Sequence, residues 1–385
     1  MALRRSLHRY PELRFSEHAT AGVVADLLRS AGLRVRTGIA GTGVIAELPG
    51  NASGPHVAVR ADLDALPISD EKRVAYASQV AGVAHACGHD VHVAVACGVA
   101  ERLASSELPR GPVTFIFQPA EEIPYGQQSG ARAMLAAGAL DPSVQLILGL
   151  HCWPGLAVGS LGIDKRIAMA AKLSFAIEIF GKSSHAAMRE SGRDALLAGS
   201  RLVDSLHRKM ASILKSDVER FAFNIGTFES GSSQSIVPGK ALLTGTIRCA
   251  DDEFLTELQS VIHAEADLIR AGSAVRTEVR WANEMPAVVN DARLVAWAAE
   301  RLDACEAIAA VELIDDPPMT TDDFALYAQR IPGLYLKLGV ASPDGTLGHR
   351  PLHDSAFDVD EDAIEVGVAG LCTLIGALPE NGSPV

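Results

Sequence analysis

The sequence predicts an α/β protein with a mixed, mostly parallel sheet and helices on both faces, interrupted by a smaller inserted α+β unit of ferredoxin-like order. Three observations carry that expectation. Apolar runs ending in polar clusters alternate with amphipathic stretches over residues 1–168, the texture changes to half-exposed alternation near residue 170, and the first texture resumes after Pro286. The expected division is therefore 1–168 and 285–385 as one domain, with 169–284 inserted between its halves. At 385 residues, the chain is longer than one hydrophobic core usually organises.

Four apolar runs read as buried strands: "HVAVRADLDALP" (56–67), "VTFIFQPAEE" (113–122), "LILGLHCWP" (146–154) and "LYLKLG" (334–339). Helical patterns over 91–104, with Asp90 as N-cap, and over 129–137 separate them. In the insertion, "KLSFAIEIF" alternates as a strand, "DALLAGSRLVDSLHRKMASIL" is an amphipathic helix, and "FAFNIGTFESGS" and "KALLTGTIRCA" are strands. The helix "DEFLTELQSVIHAEADLIRAG" and the strand-like "VRTEVRWAN" complete an antiparallel order of strand, helix, two strands, helix, strand. The closing "PENGSPV" reads as a frayed tail.

A formal net charge of −13 disfavours nucleic acid or an anionic membrane as partner, since both reward a basic face, and leaves small molecules as the expected ligands. No run approaches the ~18 apolar residues that span a bilayer, and no apolar leader with a small-residue cleavage site opens the chain, so a cytoplasmic location is expected. Six scattered cysteines without a CxxC pair argue for reduced thiols, with Cys97, Cys305 and Cys372 in apolar stretches as core residues.

The chemistry gathers at the strand ends, where parallel sheets place ligands. "HACGHDVH" (85–92) sets Cys87 and His89 two positions apart, a spacing that shares a face in extended chain or a turn rather than on a helix. Alone, the pair fits packing, a redox thiol or half of a metal site. Glu121 and Glu122 follow the strand of "QPAEE", where a turn aims them inward as ligand and general base; His151 follows "LILGL", and His353 lies in "PLHDSAFD". Together these form a mixed N/S/O donor set able to hold two borderline-soft divalent ions. Residue chemistry alone does not decide which glutamate does which work, and His92 reads as structural.

With "LHRYPELRFSEHAT", "RADLDALPI", "HACGHDVHVA", "FIFQPAEE", "GLHCWP", "GKSSHAA" and "LHDSAFDVDE" in this order, the chain resembles the amidohydrolase branch of the M20 metallopeptidases over nearly its whole length. The resemblance implies a catalytic domain with a two-metal site, interrupted by a domain that mediates homodimerisation; the donor set admits Zn, Mn, Co or Ni. It implies Cys87, His89, Glu122, His151 and His353 as metal ligands and Glu121 as general base. Other branches carry a metal-binding histidine at the place of Arg60, and Asp62 would then hold a ligand in its productive tautomer. His185 would stand near substrate, often across the dimer, while Asn224 and Arg248 would grip the substrate carboxylate or the developing oxyanion. "TTDDF" carries Asp where Glu is usual.

The expected reaction is hydrolysis of an N-acyl amino acid by metal-activated water, with Glu121 moving the proton. Competing readings are a dipeptidase or carboxypeptidase of the same fold, a hydrolase with Cys87 as nucleophile, and a non-catalytic binding relative.

Overall fold

The computed structural model describes residues 1–51, 54–106, 108–124, 126–215 and 221–379. Its larger sheet has eight strands in the order Arg34–Ile39, Gly43–Leu48, Val113–Gln118, His56–Asp62, Val144–Ala157, Gly333–Ala341, Ser160–Asp164, Ala310–Ile314. The central pairings are parallel: His56–Asp62 lies between Val113–Gln118 and Val144–Ala157, and Val144–Ala157 pairs onward with Gly333–Ala341. Antiparallel strands flank this centre. Val113–Gln118 and Gly333–Ala341 are buried at every position, which is why their sequences read as unbroken apolar runs: a strand covered on both faces has no polar side to show.

Helices cover both faces. Ala2–Arg9, His18–Ser30, His89–Ser105, Ala292–Asp303 and Ala363–Gly376 pack on one, around Leu7, Val24, Val95, Leu294 and Leu371. Gly130–Ala136 and Ala325–Ala328 bury Ala131, Met134 and Tyr327 on the other.

Residues 171–285 form a second, antiparallel sheet in the order Phe221–Ser230, Lys240–Cys249, Ala171–Phe180, Arg276–Met285. Helices Ala195–Leu214 and Asp252–Ser273 pack on one face of it, meeting Phe175, Ile177, Leu243 and Ile247 through Leu202, Leu206, Leu258 and Ile262. Asp194 and Asp251 cap these helices by accepting from the Leu197 and Phe254 amides at 3.0 and 2.8 Å. The sequence order of elements holds here, with a short ladder between Ser184–His185 and Ile236–Val237 added.

Two local expectations are corrected. The helix after "HACG" begins at His89, not Val91, and its N-cap is Gly88 in the left-handed region at φ 84°. Asp90 therefore lies in the first turn, where it is buried against Arg4 and His8 at 2.7 Å each rather than capping the helix. The hairpin Arg34–Ile39/Gly43–Leu48, which extends the sheet beyond Val113–Gln118, was not marked among the strands expected from sequence. All but Pro379 of the tail expected to fray lies outside the described residues.

Candidate active and metal site

The site is assembled by three tight backbone turns around the sheet's parallel centre; His151 lies within the strand Val144–Ala157 rather than just beyond its end, since that strand runs on past the apolar stretch. Gly88 separates Cys87 from the helix that begins with His89, and a Cβ there would lie 2.9 Å from Cys152 Sγ, so both the positive φ and the close approach require glycine. Ala120, at φ 51°, turns the chain after the Val113–Gln118 strand, and its amide is held by Glu17 Oε1 at 3.0 Å. His353 itself sits at φ 67°, with its amide donating to the Ala86 carbonyl at 2.8 Å, which fixes it beside Cys87. Left-handed non-glycine residues of this kind cluster where surrounding structure holds a functional side chain in place.

Two imidazoles have their tautomers set by backbone carbonyls. His89 Nδ1 donates to the Asp64 carbonyl at 2.8 Å, and His151 Nδ1 donates to the Cys152 carbonyl at 2.8 Å. Each Nε2 is thereby left as a lone-pair donor. His151 Nε2 faces Cys87 Sγ at 3.4 Å, and His89 Nε2 is buried without a hydrogen-bond partner, 3.7 Å from Asp62 Oδ2. At the mouth, His353 Nε2 meets Glu122 Oε1 at 2.8 Å. Sets of donors converge on one another as Cys87–His89–His151, Cys87–Glu122–His353 and His89–Glu121–Glu122.

Electrostatics at these groups call for positive charge. Burial pulls His89 down, yet Asp62 and Asp64 raise it to about 10. Burial pushes Glu122 up, yet His353 and His89 bring it to about 2. Glu121 is pushed well above the carboxylate range by burial and by Glu122, Asp322 and Asp323. The Cys87 thiol is likewise driven up by burial and by Glu122 and Glu121. A thiol among carboxylates, imidazoles presenting Nε2 and one orphaned buried nitrogen suit divalent cations, which neutralise the acids and hold the thiolate.

Several supporting residues escaped sequence reasoning. Asp64 accepts from the amides of Glu121 and Glu122 at 3.1 and 2.9 Å, locking the pair, and its carbonyl orients His89. Asp62, expected to hold a ligand in its productive tautomer, is instead bonded to His92, whose Nδ1 donates to its Oδ1 at 2.7 Å, and to Arg60, which donates to its Oδ2 at 2.7 Å. The remaining His92 nitrogen accepts from the Cys152 amide at 2.9 Å, so both of its nitrogens are engaged within the protein. Arg60 is buried among Asp62, Asp322 and Asp323, with Asp323 at 2.8 Å, and donates to Gln118 at 3.1 Å. A signal for Asp64 was present in "RADLDALP", where Asp62 and Asp64 share a face at a strand end.

A cleft opens over these groups, lined by Cys87, Glu121, Glu122, His151 and His353 on one side and by Lys172, Arg248 and Met285 of the second sheet on the other. Arg248 reaches it with a guanidinium anchored on the Met319 carbonyl at 3.1 Å. His185 and Asn224 do not line it: both are exposed, and His185 Nδ1 accepts from the Ala187 amide at 3.1 Å.

An α/β sheet carrying such a donor set and paired glutamates at its strand ends defines the class of metal-dependent hydrolases. The chain belongs to peptidase family M20/M25/M40, whose family model matches residues 58–377. It is 33% identical over 366 residues to an N-acetyl-L-cysteine deacetylase of Bacillus subtilis (strain 168), covering 94% of this chain and 84% of that protein. An N-acetyldiaminopimelate deacetylase of Halalkalibacterium halodurans is 32% identical, covering 98% of each. Among solved structures, a dinuclear metal binding M20 peptidase from Bacillus subtilis superposes with a TM-score of 0.81 at 33% identity, over 97% of this chain and 96% of that one.

Proposed function

We propose that this chain is a metal-dependent amidohydrolase that cleaves N-acyl amino acids to a carboxylic acid and a free amino acid. The observation that carries the reading is the pair of carbonyl-oriented imidazoles, whose Nε2 atoms converge on a buried thiol beside two locked glutamates. The named relatives, deacetylases of N-acetylcysteine and N-acetyldiaminopimelate, support an acylated amino acid as substrate. Cys87, His89, Glu122, His151 and His353 would hold two divalent ions, drawn from Zn, Mn, Co or Ni. When bound, the ions supply Lewis acidity that activates water and polarises the amide carbonyl.

The chain's own residues do the rest. Glu121 accepts the proton of the attacking water and returns it to the departing amine nitrogen. Arg248 takes the substrate carboxylate through its planar fork. His185 and Asn224, set apart from the cleft in a single chain, act on substrate in a homodimer formed through the 169–284 domain, with 1–168 and 285–385 as the catalytic domain. A cytoplasmic location fits the absence of any membrane-crossing helix among the described residues. Cys87 as nucleophile is disfavoured by the same burial that raises its thiol and by its partner His151, which burial and the neighbouring His92 and His89 lower to about 3.

The test is hydrolysis of a panel of N-acyl amino acids by chelator-stripped protein before and after adding each metal. Metal-restored turnover is expected; turnover indifferent to chelation overturns the reading. Glu121→Gln should retain two ions by elemental analysis and lose ~10³-fold or more in kcat, and substantial residual turnover would remove Glu121 from the proton-transfer role.

A further inference from the structure

The cleft wall opposite the donor set carries two cations where recognition of one carboxylate needs only one. Lys172 and Arg248 are directly opposite each other on neighbouring strands, with Met285 opposite Lys172 on its other side. All three project into the cleft from the sheet face that the two helices leave open. Like charges directly opposite across a ladder repel, and here both side chains are half-buried. Arg248 relieves part of this by bonding the Met319 carbonyl, whereas Lys172 has no hydrogen-bond or ion-pair partner among the described residues. The acids that face Lys172 are Glu121 and Glu122, across the cleft. With divalent ions bound among the glutamates, that compensation falls away and the ammonium needs another anion.

We infer that Lys172 is a specificity residue that binds a second carboxylate of the substrate, placed on the Met285 side of the carboxylate taken by Arg248. The inference rests on the amidohydrolase reading and narrows it to N-acyl amino acids bearing two carboxylates. The second one comes either from the amino-acid side chain or from the acyl group, two sources that the substrate panel distinguishes. Burial and the neighbouring Arg248 hold the Lys172 ammonium below its ordinary value, as expected of a cation awaiting a counter-ion.

Two matched pairs separate the sources: N-acetylglutamate against N-acetylglutamine, and N-succinylalanine against N-butyrylalanine. In metal-loaded wild type, one dicarboxylate is expected to exceed its neutral partner by ~10-fold or more in kcat/KM, mainly through KM. Lys172→Met keeps the aliphatic stem and should reduce that ratio at least ~5-fold, with partial recovery in Lys172→Arg. No charge preference in wild type, or equal losses on charged and neutral substrates, overturns the inference while leaving the amidohydrolase reading intact. Calorimetric binding of glutarate and butyrate to metal-loaded protein requires no turnover. A glutarate preference lost in Lys172→Met sustains the role of Lys172 even if no amide is cleaved, whereas a silent panel together with equal binding of both acids removes both readings.

Discussion

His89 and His92 stand three residues apart on one helix and do opposite work, and the difference lies in what their ring nitrogens meet. The Nδ1 of His89 is spent on a carbonyl, leaving Nε2 open; His92 has one nitrogen on the Asp62 carboxylate and the other on the Cys152 amide, leaving none. His92→Ala strands a buried carboxylate oxygen and a buried amide, so unfolding in denaturant with chelator present should show a loss of ~2–4 kcal/mol. His89→Ala should instead remove metal from the purified protein, and retention of two ions would exclude it as a ligand. The residue types of the donor set were legible because thiol, imidazole and paired carboxylate at strand ends are chemically distinctive. Asp64, Lys172 and the role of Arg60 were not, because each is defined by partners distant in sequence: Asp323 for Arg60, Arg248 for Lys172.

At the scale of elements, long periodic segments were readable and their ends were not. The buried strands and the order of the antiparallel unit follow from side-chain periodicity, which depends only on neighbours along the chain. The start of the His89–Ser105 helix does not: Asp90 has the chemistry of a cap, but Arg4 and His8, more than eighty positions earlier, take its carboxylate. Glycine supplies the turn instead. Gly88→Ala sets a Cβ at positive φ and 2.9 Å from Cys152 Sγ. It should cost ~1–3 kcal/mol and shift the Cys87–His151 pairing, measured as weakened metal affinity alongside a lowered Tm. Unaltered affinity would show that the turn is structural only.

Across the whole molecule, one buried arginine ties the beginning of the chain to the metal-side helix and to the closing segment. Arg4 meets Asp90 at 2.7 Å, Asp358 at 2.9 Å and Glu361 at 3.3 Å, so the first helix, residue 90 and the approach to the last helix share one charge network behind the site. Removing the cation leaves Asp90 buried with the His8 and His85 imidazoles for compensation, and Arg4→Met should lose ~3–5 kcal/mol in denaturant unfolding at neutral pH. The acid response has a definite sign. Although burial pushes Asp90 upward, Arg4 and His8 hold its carboxyl far below the usual range. Its contribution is therefore complete above the ordinary carboxylate value of about 3.9 and fades as pH falls through its folded value. Arg4→Met raises that folded value, so acid unfolding of the variant, followed by circular dichroism in chelator, should begin at higher pH than in wild type. Coincident acid transitions would mean that the neighbouring imidazoles suffice to hold Asp90 ionised and that the Arg4 tie contributes little.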